Sequence, residues 1–261
     1  MLHKRTSFCL FAAPFILVLA DAYAKLQPTK APPPLAQEAR TWNFDTDKVG
    51  EAPDGWLIRS THPGPAHATW QVTADPTAPS KPNVFTITKT QNKGSTFNLA
   101  IRSDARMKDV EVGVRIRPNS GKEDQGGGLI WRCKDESNYY ICRANPLESN
   151  FRVYKVVDGK RIQLQSTKVK MQTGKWYTIK AIMVGNQITC SLDGGNILEA
   201  TDDAIQDAGM IGLWSKADAA SSFDDFTLQG PHDTRYIGPP IRKPPVGEKK
   251  PKKPGDDGDE K

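Results

Sequence analysis

Between Gly126 and Lys155 the chain reads GGGLIWRCKDESNYYICRANPLESNFRVYK, and this stretch carries its densest set of groups able to do chemistry. Arg132, Tyr139, Arg143 and Asn145 supply two guanidinium forks, a phenol and an amide. Such groups suit a polyol or an acid: the forks bind in bidentate fashion, and the flat ring stacks on the C–H face of a sugar. Asp135-Glu136-Ser137-Asn138 is a cluster of turn formers between runs rich in Trp, Ile and Tyr, which predicts a β-hairpin. A two-residue loop and a four-residue loop give the same parity. Leu129, Trp131, Cys133, Tyr140, Cys142 and Ala144 then share an apolar face. Ile130, Arg132, Lys134, Tyr139, Ile141, Arg143 and Asn145 share the other. Two arginines side by side repel unless an anion, a hydroxyl network or a carboxylate lies between them. That makes Arg132 and Arg143 a candidate clamp for a polar ligand. The alternative is a face that is simply solvated.

The third run places Arg152 and Tyr154 outward if Phe151 and Val153 face the core, and IGLWSKADA puts Trp214 and Lys216 on one face. The expected ligand-binding set is Arg132, Tyr139, Arg143, Asn145 and Tyr154, with Trp214 and Lys216 beside it. For Trp214, core packing is the competing assignment. Glu148, in the loop after Asn145, is the nearest acid in sequence that could complete a catalytic group. Replacing Arg143 by Ala is expected to abolish ligand binding and to change the melting temperature little.

Other chemistries find little support. Glycosidic cleavage needs two carboxylates facing one sugar, yet Glu111 stands alone on its run. Glu123, Asp124, Asp135, Glu136, Asp202 and Asp203 fall in turns or loops. His62 and His67 lie in a Pro-rich loop, with no G-x-S-x-G elbow and no phosphate-cradling glycine loop. Gly126-Gly127-Gly128 precedes a strand and marks a bulge or a close backbone approach. Asp45 in WNFDTD and Asp225 in SFDDFTL occupy the candidate first and last strands, which often pair in sandwiches. Together they could hold a structural Ca2+, against solvated strand ends as the alternative. No cofactor is required.

The elements that position these groups are short, β-branched or aromatic, and bounded by Gly, Asn, Asp or Pro. VFTITKT, VEVGVRIRP, FRVYKVV, WYTIKAIMV and QITCSLDG are examples. No stretch has a helical period. The fold class is all-β, an antiparallel two-sheet jelly-roll sandwich over residues 41–230. Within it, 45–81 is rich in Pro and Gly and is expected to form long loops carrying Trp56 and Trp70.

The 261-residue chain has a net charge of +6, with acids and bases interspersed, so no nucleic-acid partner is indicated. His3-Lys4-Arg5, the apolar run 8–20 and Ala22-Tyr23-Ala24 have the form of a signal peptide, residues 1–24. No segment is apolar enough to span a membrane. The mature chain is therefore expected outside the cytoplasm, periplasmic or secreted. Residues 25–40 form a Pro-rich linker, and residues 231–261 a disordered Pro/Lys-rich tail. Cys133, Cys142 and Cys190 remain after cleavage and are expected as buried thiols, with a Cys133–Cys142 disulfide as the alternative.

The run from GGGLIWR through NYYICRANPLESNFRVYKVVDGKR, GKWYTIKA, SLDGG and AGMIGLWSKADAASSFDDF resembles the concanavalin A-like lectin/glucanase superfamily. Within it, the chain is similar to secreted bacterial 3-keto-disaccharide hydrolase-like domains, some of them labelled family 16 glycoside hydrolases. The resemblance covers most of residues 41–230. It implies a jelly-roll sandwich and a carbohydrate ligand. It implies no agreed catalytic set, and the E-x-D-x-x-E pattern of the superfamily's retaining glucanases is absent. The first functional reading is a carbohydrate-recognition domain for extracytoplasmic glycan. The alternatives are a hydrolase or lyase of the keto-sugar type, and a structural or protein-interaction sandwich.

Overall fold

The computed structural model describes residues 38–230. The signal peptide, the linker up to residue 37 and the C-terminal tail lie outside the described residues. In chain order the strands are β1 (Glu38–Trp42), β2 (Trp56–Thr61), β3 (Thr69–Ala74), β4 (Asn83–Lys89), β5 (Phe97–Met107), β6 (Val110–Ser120), β7 (Gly127–Asp135) and β8 (Asn138–Asn145). They continue with β9 (Asn150–Val157), β10 (Lys160–Lys168), β11 (Tyr177–Val184), β12 (Gln187–Leu192), β13 (Asn196–Thr201), β14 (Gly209–Lys216) and β15 (Ala220–Gly230). Among the described residues there is no helix. One antiparallel sheet runs β13-β12-β11-β6-β15-β4-β3, with β1 paired to β15; the other runs β10-β9-β8-β7-β14-β5-β2. The two pack as a sandwich, the architecture that the short alternating runs predict.

The first sheet shows the alternation of a half-buried strand. On β11, Ile179, Ala181 and Met183 are buried, while Lys180 and Val184 are exposed. Rings dominate the space between the sheets. Trp70 stacks on Phe223 with centroids 5.5 Å apart, and Trp131 on Tyr140 at 5.7 Å. The stretch expected as long loops is a partial exception: Trp56 and Trp70 begin or sit in β2 and β3 and are 5% and 3% exposed. Burying an indole outweighs the local bias of the surrounding Pro and Gly. The first strand also starts at Glu38, ahead of the boundary expected at Thr41.

The second sheet is buried on both faces in its middle strands. Beside the main core, Leu99, Ile130, Tyr139, Ile141, Tyr154, Val156 and Trp214 form a second apolar cluster on its outer face. The face expected to be polar is therefore largely hydrophobic. The hairpin explains part of the difference. Leu129, Trp131, Tyr140, Cys142 and Ala144 face the main core as parity requires. Between the pairs Trp131↔Tyr140 and Asp135↔Asn138, however, the register shifts, and Arg132 adopts φ 45°. This left-handed residue turns the strand over. Cys133 joins the outer cluster with Tyr139, and Arg132 leaves the face it was assigned to. All three described cysteines are buried and free, with Cys142 and Cys190 in the main core.

Candidate functional site

Arg132 and Arg143 do not form a clamp. Arg132, 1% exposed, reaches into the connections at one end of the sandwich. Its Nε donates to Lys108 O at 2.7 Å, its Nη1 to Ile205 O at 2.9 Å, and its Nη2 to Gly185 O at 2.6 Å, with Asp109 Oδ1 at 3.5 Å. It ties together the turns β5–β6 and β11–β12 and the loop β13–β14. This is a structural clip, and it corrects the assignment of Arg132 to the ligand face.

Arg143 is also 1% exposed, on the outer face of the second sheet. Its Nη1 donates to Asn150 Oδ1 at 2.6 Å, and its Nη2 to Glu148 Oε2 at 2.7 Å and Tyr154 Oη at 3.1 Å. Glu148 also accepts from Asn150 at 3.0 Å and lies 3.5 Å from Arg152. Burial alone would raise the Glu148 carboxyl. Hydrogen bonds from Asn150 and Arg143, with the charges of Arg143 and Arg152, outweigh it and hold the group at about 2. A carboxylate held that low orients Arg143 well but gains and loses protons poorly near neutrality.

Asn145, fully buried, braces the same loop. Its Oδ1 accepts from the backbone of Leu147 and Glu148, and its Nδ2 donates to Asp124 Oδ1 at 3.0 Å. Asp124 is itself 0% exposed, and its Oδ2 lies 3.5 Å from Lys216 Nζ. Burial pushes the Asp124 carboxyl up, against the pull of Arg143 and Lys216. The loop that carries it is fixed by Asp218, whose carboxylate accepts from the backbone N–H groups of Lys122, Glu123 and Asp124. The glycine triplet marks close backbone approach as expected: a Cβ on Gly128 would meet Cys142 O at 1.9 Å.

In front of this network opens a cleft of about 610 Å³. Its lining comes from three connections and two strand ends: His62 after β2, Gly94 and Ser95 before β5, Gly159 with Lys160 and Arg161 at the β9–β10 turn, Phe97 and Lys216. The Phe97 ring is the common floor. His62 meets it edge-on at 6.5 Å, the Arg161 guanidinium lies over it at 5.1 Å, and Trp214 packs against it at 5.4 Å. His62 Nε2 lies 2.9 Å from Gly159 O. A carbonyl can only accept, so Nε2 carries a proton, and in the neutral tautomer with that bond the lone pair lies on Nδ1.

Among the residues expected to touch ligand, Lys216 alone lines the cleft. Tyr154 is 3% exposed and Trp214 0%; both lie beneath it, with Arg143 and Asn145 behind. Tyr139 is spent on Thr61 Oγ1 at 2.6 Å. Sequence reasoning missed His62, Phe97, Arg161 and Asp124. The usable signal was the Asp158-Gly159 turn: both residues have positive φ, as a tight type I′ hairpin requires, which fixes where Lys160 and Arg161 emerge.

The acids expected to hold Ca2+ do approach one another. Asp45 accepts from Ser80 Oγ and from Asn83 N at 3.2 Å, and Asp224 accepts from Ser80 N at 2.8 Å. Burial, with the neighbouring charges of Asp225 and Asp45, pushes Asp224 up to about 6 despite two backbone hydrogen bonds. Burial and Asp45 also raise Asp225, against Arg115. Among the described residues, no three His, Cys, Asp or Glu side chains form a group able to hold a metal. Among the described residues no helix is long and apolar enough to cross a membrane.

The fold has counterparts among solved structures. The fold is similar to that of the carbohydrate binding module CBM66 from Bacillus subtilis: TM-score 0.53, 20% identity, over 67% of this chain and 96% of the module. A protein of unknown function from Shewanella oneidensis MR-1 matches with TM-score 0.51 and 14% identity, over 87% of this chain and 100% of that one. The cellulose induced protein Cip1 matches with TM-score 0.51 and 13% identity, over 72% of this chain and 96% of its own. At these identities the likeness is one of fold. No curated protein matches the chain. The family model of the 3-keto-alpha-glucoside-1,2-lyase-like domain matches residues 40–229, and the chain belongs to that family.

Proposed function

We propose that the domain takes a sugar with a carbonyl at C3 into the cleft and eliminates the substituent at C1. Its family membership supports a sugar-related function, and the family's description names the reaction type. In such a 1,2-elimination the C2 proton, acidified by the neighbouring carbonyl, passes to a base. The C2–H electrons become the C1=C2 bond as the C1–O bond breaks, and the departing oxygen takes up a proton. The products are an unsaturated keto sugar and a free alcohol.

The observation that carries this reading is the pairing, in one cleft, of an imidazole whose Nε2 is tied to Gly159 O and an ammonium backed by a buried carboxylate. His62 Nδ1 would accept the C2 proton. Lys216, fixed by Asp124 at 3.5 Å, would stabilise the negative charge that develops on the C3 oxygen. Arg143 and Glu148 act behind it, setting the field around Asp124. A recognition module without chemistry is the weaker reading. Its usual platform is an exposed flat ring, whereas Phe97, Tyr154 and Trp214 are at most 3% exposed.

The test is to incubate the protein with a 3-keto-glucoside and follow alcohol release together with the absorbance of the conjugated product. His62→Ala and Lys216→Met should each lower turnover on the order of 10²-fold or more, with folding intact. Tight binding of the glucoside without release would establish a recognition module instead. Full turnover in His62→Ala would remove His62 from the chemistry.

A further inference from the structure

We infer that Arg161 and Lys160 form an anion subsite in the cleft, so that the sugar it takes carries a carboxylate or phosphate substituent. This rests on the cleft proposed above as the sugar site, but not on the elimination. Arg161 lies against two rings: its guanidinium carbon is 4.7 Å from the Tyr154 centroid and 5.1 Å from that of Phe97. Its Nη1 is buried and has no hydrogen-bond partner. Among the described residues no carboxylate forms an ion pair with it. The acids in its surroundings are engaged elsewhere, Asp124 by Asn145 and Lys216, and Glu148 by Arg143, Asn150 and Arg152.

The turn that delivers Arg161 is built for the position. Gly159 has φ +79°, and a Cβ there would lie 3.0 Å from the His62 ring. A side chain at 159 would therefore push the β9–β10 turn and His62 apart. Lys160 and Lys216 add two further cations to the lining, and no acid lines the cleft. A buried donor left without a partner is unfavourable, the more so when charged. A sugar hydroxyl would satisfy one N–H of Arg161 but would neutralise nothing. An oxyanion would also supply a counter-charge, which a ring-stacked guanidinium is suited to hold.

The experiment is calorimetric titration of the full chain with matched unoxidised sugars: glucose, glucuronate and glucose 6-phosphate, with inorganic phosphate alone as a control. None of these needs the elimination step, so the result is independent of whether the lyase reading holds. At least one anionic sugar should bind on the order of 10-fold or more tighter than glucose, and the preference should shrink as salt is raised. Glucuronate or glucose 6-phosphate leading identifies carboxylate or phosphate as the source. Arg161→Met should remove the preference, and Arg161→Lys should retain part of it. If Arg161→Met does not fold, the salt titration of the native protein and the Arg161→Lys variant give the same reading. Equal affinity for all three sugars overturns the subsite. Inorganic phosphate binding as tightly as the best sugar overturns the claim that the anion belongs to a sugar.

Discussion

Arg132 leaves β7 at its bulge and Arg143 leaves the neighbouring strand β8, and each is 1% exposed. Their partners differ in kind. Arg132 is held chiefly by main-chain carbonyls of Lys108, Gly185 and Ile205, and its one acid, Asp109, is 41% exposed at 3.5 Å. Arg143 is held wholly by side chains, those of Asn150, Glu148 and Tyr154. Carbonyl dipoles locate a guanidinium without neutralising it, which suits a clip between loops. A carboxylate neutralises it and passes its charge into a network that can be tuned, which suits a position behind a site. Burial alone does not separate the two roles; partner chemistry does.

The largest effect should come from Arg132. Arg132→Ala removes the donors to three carbonyls, that of Ile205 buried and those of Lys108 and Gly185 partly buried, and is expected to destabilise the fold by about 4 kcal/mol. Arg143→Ala leaves Glu148 free to hydrate and should lose about 2–3 kcal/mol. This replaces the expectation that removing Arg143 would change the melting temperature little. Denaturant unfolding measures both; equal losses would erase the distinction.

Asp224 tests the contrary case, a fully buried acid with acidic neighbours. Its folded value of about 6 lies above the ordinary 3.8, so the native state holds the proton more tightly. The associated stability is present below pH 3.8 and lost as pH rises through 6. The native protein should lose about 3 kcal/mol over that window that Asp224→Asn does not lose. Denaturant titrations of both proteins at pH 4 and pH 7 measure it, and parallel behaviour would refute it.

Glu148 has the opposite sign. Held at about 2 against an ordinary 4.5, it contributes stability above pH 4.5 that is lost as pH falls toward 2. Screening at a side chain 35% exposed reduces the contribution to about 2 kcal/mol. Glu148→Gln should therefore cost about 2 kcal/mol at pH 7 and converge on the native protein at the acid end. The smallest effect belongs to Asp109→Asn, below about 1 kcal/mol, because the carboxylate is 3.5 Å from Arg132 and 41% exposed, and an amide keeps the oxygen that accepts from Gly185 N. A larger loss there would show that Arg132 does need its counter-charge.

The strand content, the two-sheet architecture and the inward set Leu129, Trp131, Tyr140, Cys142 and Ala144 were all legible in the amino-acid order. Alternation with period two is a local property, and a face that must be buried fixes its register. What alternation cannot see is a residue at positive φ inside a strand. Arg132 carries no sequence mark of its φ 45°, yet that one dihedral sends it to the far end of the sandwich and moves Cys133 to the other face. The cleft was hidden for a second reason. His62, Phe97, Arg161 and Lys216 are spread over 155 positions and meet only because β5 pairs with β14, and β10 lies across the same sheet by way of β9, β8 and β7. The sequence by itself determined which residues could form strands and which rings had to leave water, because both follow from local periodicity and apolar burial. Tertiary structure alone decided which charges face one another and which one lacks a counter-charge, because electrostatic pairing depends on distance in space, which strand order and loop placement set.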